Sequence, residues 1–269
     1  MSEDTSPGAG ILGFFLGMVL AGGSYFGLAM LFGASAMTAA IVAAVAAVIG
    51  AAYSAVAFSK KVYAAGLFSI LGYLLDMTWS LLNTLAGFLV WIPAAKISGA
   101  DFITPDDNSK RSGTFVYNKN PRGGGYDATT IGTVIAGDPT GVSSGGWCSH
   151  EETHVWQARF YGPVYMLAYI LALLLNMLFR LFTGRFENFS QEAYHRIPFE
   201  DWAYWAGSIS SKEIEWGWWF LGLLLTLIYV GGLVSIPLGI ALGLWPLWLT
   251  GILVVVVYSL IRAFTAKGH

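Results

Sequence analysis

The chain has 269 residues, of which 56% are hydrophobic and only 11% are charged. Soluble domains carry about 25% charged residues, so this composition excludes an ordinary soluble domain and indicates an integral membrane protein. A net charge of −2, from 14 Lys and Arg against 16 Asp and Glu, provides no basic surface for a phosphate backbone, so nucleic acid is not an expected partner.

The amino-terminal part of the chain is apolar and long enough for several membrane helices. Residues 7–59 contain no Asp, Glu, Lys, Arg or His, and about 20 apolar residues suffice to cross a bilayer. The pattern predicts three membrane helices, at about residues 10–32, 37–58 and 67–91. The third is expected to end before Pro93, whose ring cannot continue the helical hydrogen bonding. Residues 1–95 are therefore predicted to form an amino-terminal membrane domain.

The third predicted helix carries polar side chains at membrane depth. Asp76, Ser80 and Asn83 are spaced by four and three residues, which places them on one helix face. A carboxyl group at this depth is costly and therefore suggests a function. Two interpretations stay open: a hydrogen-bonding stripe that fixes helix packing, and an ion path through a transporter or channel that uses Asp76.

The central residues 96–215 are richer in polar residues, Gly and Pro, and are predicted to form an extramembrane or interfacial region. Residues 114–117 and 129–135 are predicted as two strands of a β-hairpin, with Gly123-Gly124-Gly125 in the connecting turn. A polar helix is predicted to follow at residues 146–161.

Two apolar stretches occupy the remainder of the chain. Residues 164–182 are long enough to span the membrane, but we expect only partial insertion, because a full crossing would separate candidate metal ligands that lie before and after this segment. Residues 216–269 are predicted to form a membrane helical hairpin that divides near Pro237.

The predicted polar helix contains the pentapeptide His150-Glu151-Glu152-Thr153-His154, which has the form H-E-x-x-H. Residues four apart lie one turn above each other on a helix, so His150 and His154 can bind one metal ion while Glu151 contacts a bound water. The whole chain has only four His residues, so chance is a poor explanation of this spacing. The pentapeptide predicts a catalytic metal centre.

A catalytic zinc ion takes a third protein ligand and keeps one position for water. We expect this ligand in residues 191–207, where Glu200 follows an Ile-Pro-Phe helix entry and Glu192 is the alternative. Three nearby side chains could donate a hydrogen bond to the oxyanion of a hydrolytic reaction, and no spacing selects among them: Tyr194, His195 and Tyr204.

Three short motifs resemble the H-E-x-x-H gluzincin metallopeptidases, and among these a group of bacterial membrane and toxin-associated proteins. They are H-E-x-x-H-x-x-Q at residues 150–157, G-P-x-Y at residues 162–165 and E-x-x-A at residues 200–203. The resemblance covers about residues 126–207. It implies that His150, His154 and Glu200 bind Zn²⁺, with Glu151 as the general base.

These patterns together predict a mainly α-helical, polytopic membrane protein with five or six membrane helices and a small zincin-like subdomain that contains a β-hairpin. The predicted activity is zinc-dependent hydrolysis of a peptide or protein substrate near the surface of the lipid bilayer, in a bacterial inner membrane. The alternatives are a non-catalytic membrane protein with a structural metal, and a transporter or channel that uses Asp76.

Overall fold

A computed structural model of the chain divides into two compact units, unit 1 (Met1–Pro163) and unit 2 (Val164–His269). It describes residues 6–103, 113–123, 128–137, 149–184, 186, 188–207 and 214–265. The fold is mainly helical with one small sheet of four strands, and five stretches of the described residues are long and apolar enough to cross a membrane. The prediction of a mainly α-helical, polytopic membrane protein is therefore confirmed.

Unit 1 contains a membrane hairpin, a broken helix, a sheet and a polar helix. Its helices are α1 (Pro7–Leu31), α2 (Ala36–Ser59), α3 (Leu67–Met77), α4 (Leu81–Leu85), α5 (Ile92–Ile97) and α6 (Ser149–Tyr161). Its strands are β1 (Phe102–Ile103), β2 (Phe115–Tyr117), β3 (Ala128–Ile131) and β4 (Val134–Gly137). The predicted start of the polar helix at residues 146–148 lies outside the described residues.

The first two helices, α1 and α2, form a closely packed pair. A Cβ atom added at Gly17 would lie 2.2 Å from the carbonyl oxygen of Gly50, so the two backbones touch where both helices lack a side chain. Small residues permit such close approach between membrane helices. The backbone N–H of Ser6 donates to the carbonyl oxygen of Ser59 at 2.9 Å, so the start of α1 lies beside the end of α2.

The predicted continuous helix at residues 67–91 is wrong, because the chain bends by 89° between α3 and α4. The bend coincides with polar residues whose side chains bond to α6 instead of facing lipid: Ser80 Oγ donates to Ala158 O at 2.9 Å, and Asn83 Nδ2 to the same oxygen at 3.0 Å. The expected helix end before Pro93 is also wrong, because the helix runs from Leu81 to Ile97 and contains a π-helical turn at Ala86–Trp91 just before Pro93. Local π-helical geometry can accommodate a proline within a membrane helix.

The sheet has the order β1-β2-β4-β3, and its pairing corrects the predicted hairpin. The predicted strand at residues 129–135 is itself a hairpin, in which β3 and β4 pair antiparallel around Gly132. The other predicted strand, β2, pairs with β4 in parallel and cannot be its hairpin partner. A run of Thr, Ile and Val concealed the turn, and only Gly132, with φ of +58°, marks it. Gly124 and Gly125 of the predicted turn lie outside the described residues.

The sheet packs against α2 and the broken helix through aromatic side chains. The ring of Tyr53 in α2 meets Phe115 of β2 at 5.7 Å and Phe88 at 5.4 Å between centroids, both nearly edge to face. The hydroxyl of Tyr53 donates to Thr133 Oγ1 at 3.1 Å. The hairpin of β3 and β4 is therefore held against the membrane helices of unit 1.

Unit 2 is helical throughout the residues that the structure describes. Its helices are α7 (Tyr165–Phe182), α8 (Phe189–His195), α9 (Pro198–Ala206), α10 (Trp216–Ala241) and α11 (Trp245–Thr265). The predicted division near Pro237 is wrong, because Pro237 lies inside α10. Membrane helices tolerate such a proline, and the turn instead falls at Gly243, whose φ is +67°.

Candidate metal centre

The imidazoles of His150 and His154 lie side by side on one face of α6. Their Nε2 atoms are 3.2 Å apart, and both side chains are buried. Two nitrogen ligands at 2.0 to 2.1 Å from a tetrahedral zinc ion lie about 3.3 to 3.4 Å from each other. The spacing of the two Nε2 atoms therefore fits two ligands of one ion, as the pentapeptide predicts.

A glutamine one turn further along α6 orients the second imidazole. Gln157 Oε1 lies 2.9 Å from His154 Nδ1. If Nδ1 carries the proton, it donates to this oxygen and leaves the Nε2 lone pair for a metal ion, the arrangement that commonly fixes a metal-binding histidine. The sequence motif contains Gln157 but assigns it no role. Its spacing of three residues from His154 places the two side chains next to each other on a helix and could have indicated this contact.

The carboxylate of Glu151 is buried and bonded to the sheet. Thr130 Oγ1, on β3, donates a short hydrogen bond to Glu151 Oε2. The same hydroxyl lies 3.5 Å from the backbone oxygen of Glu151. The structure thus joins the predicted general base to the strand just upstream of it in the sequence. No pattern in the sequence pointed to Thr130, because the contact depends on how the hairpin packs against α6.

Glu200 lies in the first turn of α9, where a carboxylate interacts favourably with the helix dipole. Its side chain is fully buried, and Tyr169 of α7 donates to its Oε1 at 2.7 Å. The ring of Tyr169 stacks on Phe199 at 5.6 Å between centroids, so neighbouring residues of α9 contact one side chain. The carboxylate of Glu200 is therefore held in a defined position within unit 2.

The next residue of α9, Asp201, anchors this helix to α11. Tyr258 donates to Asp201 Oδ2 at 2.7 Å, and Arg262 forms an ion pair with the same carboxylate. Burial raises the pKa of Asp201, although the charge of Arg262 acts in the opposite direction. This ion pair fixes the first turn of α9, which also carries Glu200.

The remaining predicted site residues lie in α8 and α9 of unit 2. His195 Nδ1 lies 3.1 Å from the hydroxyl of Tyr204, and the rings of Tyr194 and His195 are 5.2 Å apart. Glu192, the alternative third ligand, forms an ion pair with Arg196 and lies 3.7 Å from Arg180 Nη1. The assignment of Tyr194, His195 and Tyr204 as oxyanion donors stays a prediction.

The face of α6 opposite the imidazoles is held by a buried ion pair. Arg159 follows His150 by nine residues, or two and a half turns. Its Nη2 and Nε atoms donate to the two carboxylate oxygens of Asp76 at 2.6 and 3.0 Å, and both side chains are fully buried. Tyr63 donates to Asp76 Oδ2 at 2.7 Å, and its pKa is raised by burial and by the Asp76 charge.

The polar stripe predicted on the third helix therefore faces α6. Asp76 binds Arg159, while Ser80 and Asn83 donate to backbone oxygens at the end of α6, including Gly162 O at 2.6 Å from Asn83 Nδ2. These contacts support the packing interpretation of the stripe and leave the carboxylate of Asp76 bonded rather than exposed to an ion path.

Comparison of the chain with protein-family models, curated proteins and solved structures finds no match. The candidate metal centre is thus supported by donor chemistry and local geometry. His150, His154 and Glu200 are all buried, and each offers one ligand atom suited to a metal ion.

Proposed function

We propose that His150, His154 and Glu200 bind one zinc ion and that the protein is a zinc-dependent endopeptidase acting near the membrane surface. The observation that carries this proposal is the 3.2 Å separation of the two Nε2 atoms on α6. Two imidazoles and one carboxylate form a donor set used by catalytic zinc sites that keep a fourth position for water. The assignment of Glu200 follows the sequence motif, and its burial agrees with a role as ligand.

The protein's own residues would supply the proton transfers. A zinc ion held by His150, His154 and Glu200 would supply a Lewis acid and make water easier to deprotonate. Glu151 would act as the general base that takes a proton from the water whose oxygen bonds to the substrate carbonyl carbon. When the carbon–nitrogen bond breaks, Glu151 would deliver that proton to the leaving amine. Thr130 orients Glu151 for both steps through its hydrogen bond.

Strand β3 supports a polypeptide as the substrate class. Among the described strands it lies at one edge of the sheet, and it carries Thr130 beside Glu151. An exposed edge can pair with an extended peptide through backbone hydrogen bonds. A peptide added to this edge would place its own backbone next to the proposed general base. The bilayer and a peptide substrate are thus the proposed partners, and a bacterial inner membrane is the proposed location.

The burial of the imidazole pair favours a second candidate, a structural metal site without catalysis. Only 3% of His150, 7% of Glu151 and 6% of His154 are exposed. A buried metal ion of this kind would stabilise the fold without admitting substrate, since structural zinc sites are closed.

Replacement of Glu151 by Gln separates the two candidates. For a peptidase, Glu151→Gln keeps the metal and abolishes hydrolysis of a quenched fluorescent peptide library by the full chain in proteoliposomes. Glu152→Gln, one residue further along α6, serves as the control and retains hydrolysis. Wild-type protein that binds zinc and hydrolyses no peptide would favour the structural candidate.

A further inference from the structure

The broken helix of α3, α4 and α5 begins and ends at the same side of unit 1. Lys60, just after α2, places its Nζ 4.4 Å from the ring centroid of Phe102. Lys96, in the last turn of α5, places its Nζ 5.4 Å from the ring of Tyr117. The rings of Phe102 and Tyr117 are themselves only 5.9 Å apart. Lys60, before the broken helix, and Lys96, at its end, therefore contact the same pair of neighbouring aromatic rings.

The depth that α3 reaches agrees with this return. At its inner end, Met77 accepts a hydrogen bond at 3.2 Å from Ser54 of α2. Ser54 lies five residues before the end of α2 at Ser59, which corresponds to about 8 Å along the helix axis. A membrane crossing requires about 30 Å. The inner end of α3 thus contacts α2 within the last quarter of the length of α2.

The charged residues of unit 1 distinguish this side from the other. Lysines lie at the end of α2, at the end of α5 and beside Ser98, whose carbonyl oxygen accepts from Lys119 Nζ at 2.6 Å. The opposite turn, between α1 and α2, is Phe32-Gly33-Ala34-Ser35 and contains no ionisable residue. Lys and Arg close to membrane helices mark the cytoplasmic side, whereas Asp and Glu contribute little to orientation.

We propose that Leu67–Ile97 is a re-entrant element that enters and leaves the membrane on the cytoplasmic side, and that the imidazole pair of α6 lies at this cytoplasmic face. The position of α6 follows from its contacts with the re-entrant element. Arg159 of α6 donates to Asp76, and Asn83 donates to the carbonyl oxygen of Ala158. Thr130 of the hairpin bonds to Glu151 at the other end of α6.

The orientation defines a substrate class for the proposed peptidase, and this step rests on the proposed function. A polypeptide would reach the centre from the cytoplasmic surface of the membrane, either as a cytoplasmic protein segment or as the cytoplasmic end of a membrane helix. The re-entrant topology itself does not depend on a metal or on any activity.

Single-cysteine labelling of the full chain in bacterial vesicles tests the topology. The chain has one cysteine, so Cys148→Ala provides a cysteine-free background. Two exposed residues, Ala65 before α3 and Asp101 after α5, and Phe32 in the opposite turn are each replaced by Cys. A membrane-impermeant maleimide is applied to right-side-out and to inside-out vesicles, and detergent-solubilised protein gives the full labelling level of each variant.

We expect Ala65→Cys and Asp101→Cys to label in inside-out vesicles and to lose labelling in right-side-out vesicles, with Phe32→Cys showing the reverse. Labelling of Ala65→Cys and Asp101→Cys from opposite sides would overturn the re-entrant element. Labelling of both only in right-side-out vesicles would overturn the cytoplasmic assignment. Zinc content measured on the same wild-type preparation reports on the proposed function separately, because the labelling pattern does not depend on zinc.

Discussion

Adjacent threonines on β3 have different partners because successive side chains of a strand point to opposite faces. Thr130 donates to the carboxylate of Glu151, whereas Thr129 Oγ1 accepts from Asn120 Nδ2 at 2.9 Å. The hydroxyl of Thr130 therefore contacts the proposed general base, and the hydroxyl of Thr129 contacts the loop before the strand. This difference allows the role of Thr130 to be tested against a closely matched residue.

We predict that Thr130→Val slows peptide hydrolysis by about 10-fold or more, because hydrogen bonds to charged groups contribute about 1.5 to 3 kcal/mol. Zinc content should remain at the wild-type level, since Thr130 is not a proposed ligand. Thr130→Ser keeps a hydroxyl and should restore most of the rate, and Thr129→Val is the matched control. The kcat and KM for peptide hydrolysis are measured separately for each variant. Equal loss in both valine variants would show that Thr130 only stabilises the hairpin.

The residues of the centre were predictable to different degrees. His150, Glu151 and His154 follow from spacing alone, because helical periodicity fixes which side chains share a face. Thr130 could not be assigned, since its contact with Glu151 joins residues 21 positions apart and depends on the hairpin register. Glu192 and Glu200 could be ranked but not distinguished physically before the ion pair of Glu192 with Arg196 was known.

At the scale of secondary-structure elements, α6 is held by the broken helix. Both carboxylate oxygens of Asp76 bind Arg159 without solvent contact. Removal of one partner from a buried ion pair leaves the other charge uncompensated, which is more costly than the loss of the pair itself. The bend between α3 and α4 thus stabilises the helix that carries the imidazole pair.

Asp76→Asn should lower the free energy of unfolding by about 3 to 5 kcal/mol, the usual cost of breaking a buried pair. Glu192→Gln removes a carboxylate that is 26% exposed and ion-paired within unit 2, and it should cost less. Denaturant unfolding of both variants in the same detergent provides the comparison. A smaller loss for Asp76→Asn than for Glu192→Gln would show that the Asp76–Arg159 pair does not anchor α6.

The turn of the hairpin provides a second test at this scale. Gly132 and Gly123 have similar positive φ values of +58° and +64°. A Cβ atom at Gly132 would lie 2.0 Å from the backbone oxygen of Asn83, whereas nothing lies within 4 Å of one at Gly123. Gly132→Ala should therefore lower the thermal unfolding temperature more than Gly123→Ala, which incurs only about 1 to 2 kcal/mol of backbone strain. Equal shifts would contradict the packing of this turn on the broken helix.

Helices that consist of long apolar runs were predictable, whereas helix ends and bends that depend on tertiary contacts were not. Long runs without ionisable residues identified α1 and α2 because a membrane crossing requires such runs. Neither proline marks a helix end as expected, because Pro93 follows a π-helical turn within a continuous helix and Pro237 lies inside α10. The bend at Thr78 depends on bonds to α6 that no local pattern encodes.

At the scale of the whole molecule, composition alone identified the class of protein. An 11% share of charged residues cannot cover the surface of a soluble protein of this size, and five helical stretches of the described chain are suited to a bilayer. Three charged residues of unit 1 are buried at contacts of α6: Asp76, Glu151 and Arg159.

The most direct test of the central proposal is the zinc content of purified full-length protein. Wild type is compared with His150→Ala, His154→Ala and Glu200→Ala, and with Glu192→Ala, which removes the alternative third ligand. We predict one zinc ion per chain in wild type and in Glu192→Ala, with loss of zinc in the other three variants. Equal zinc content in all five proteins, or no zinc in wild type, would contradict the proposed centre.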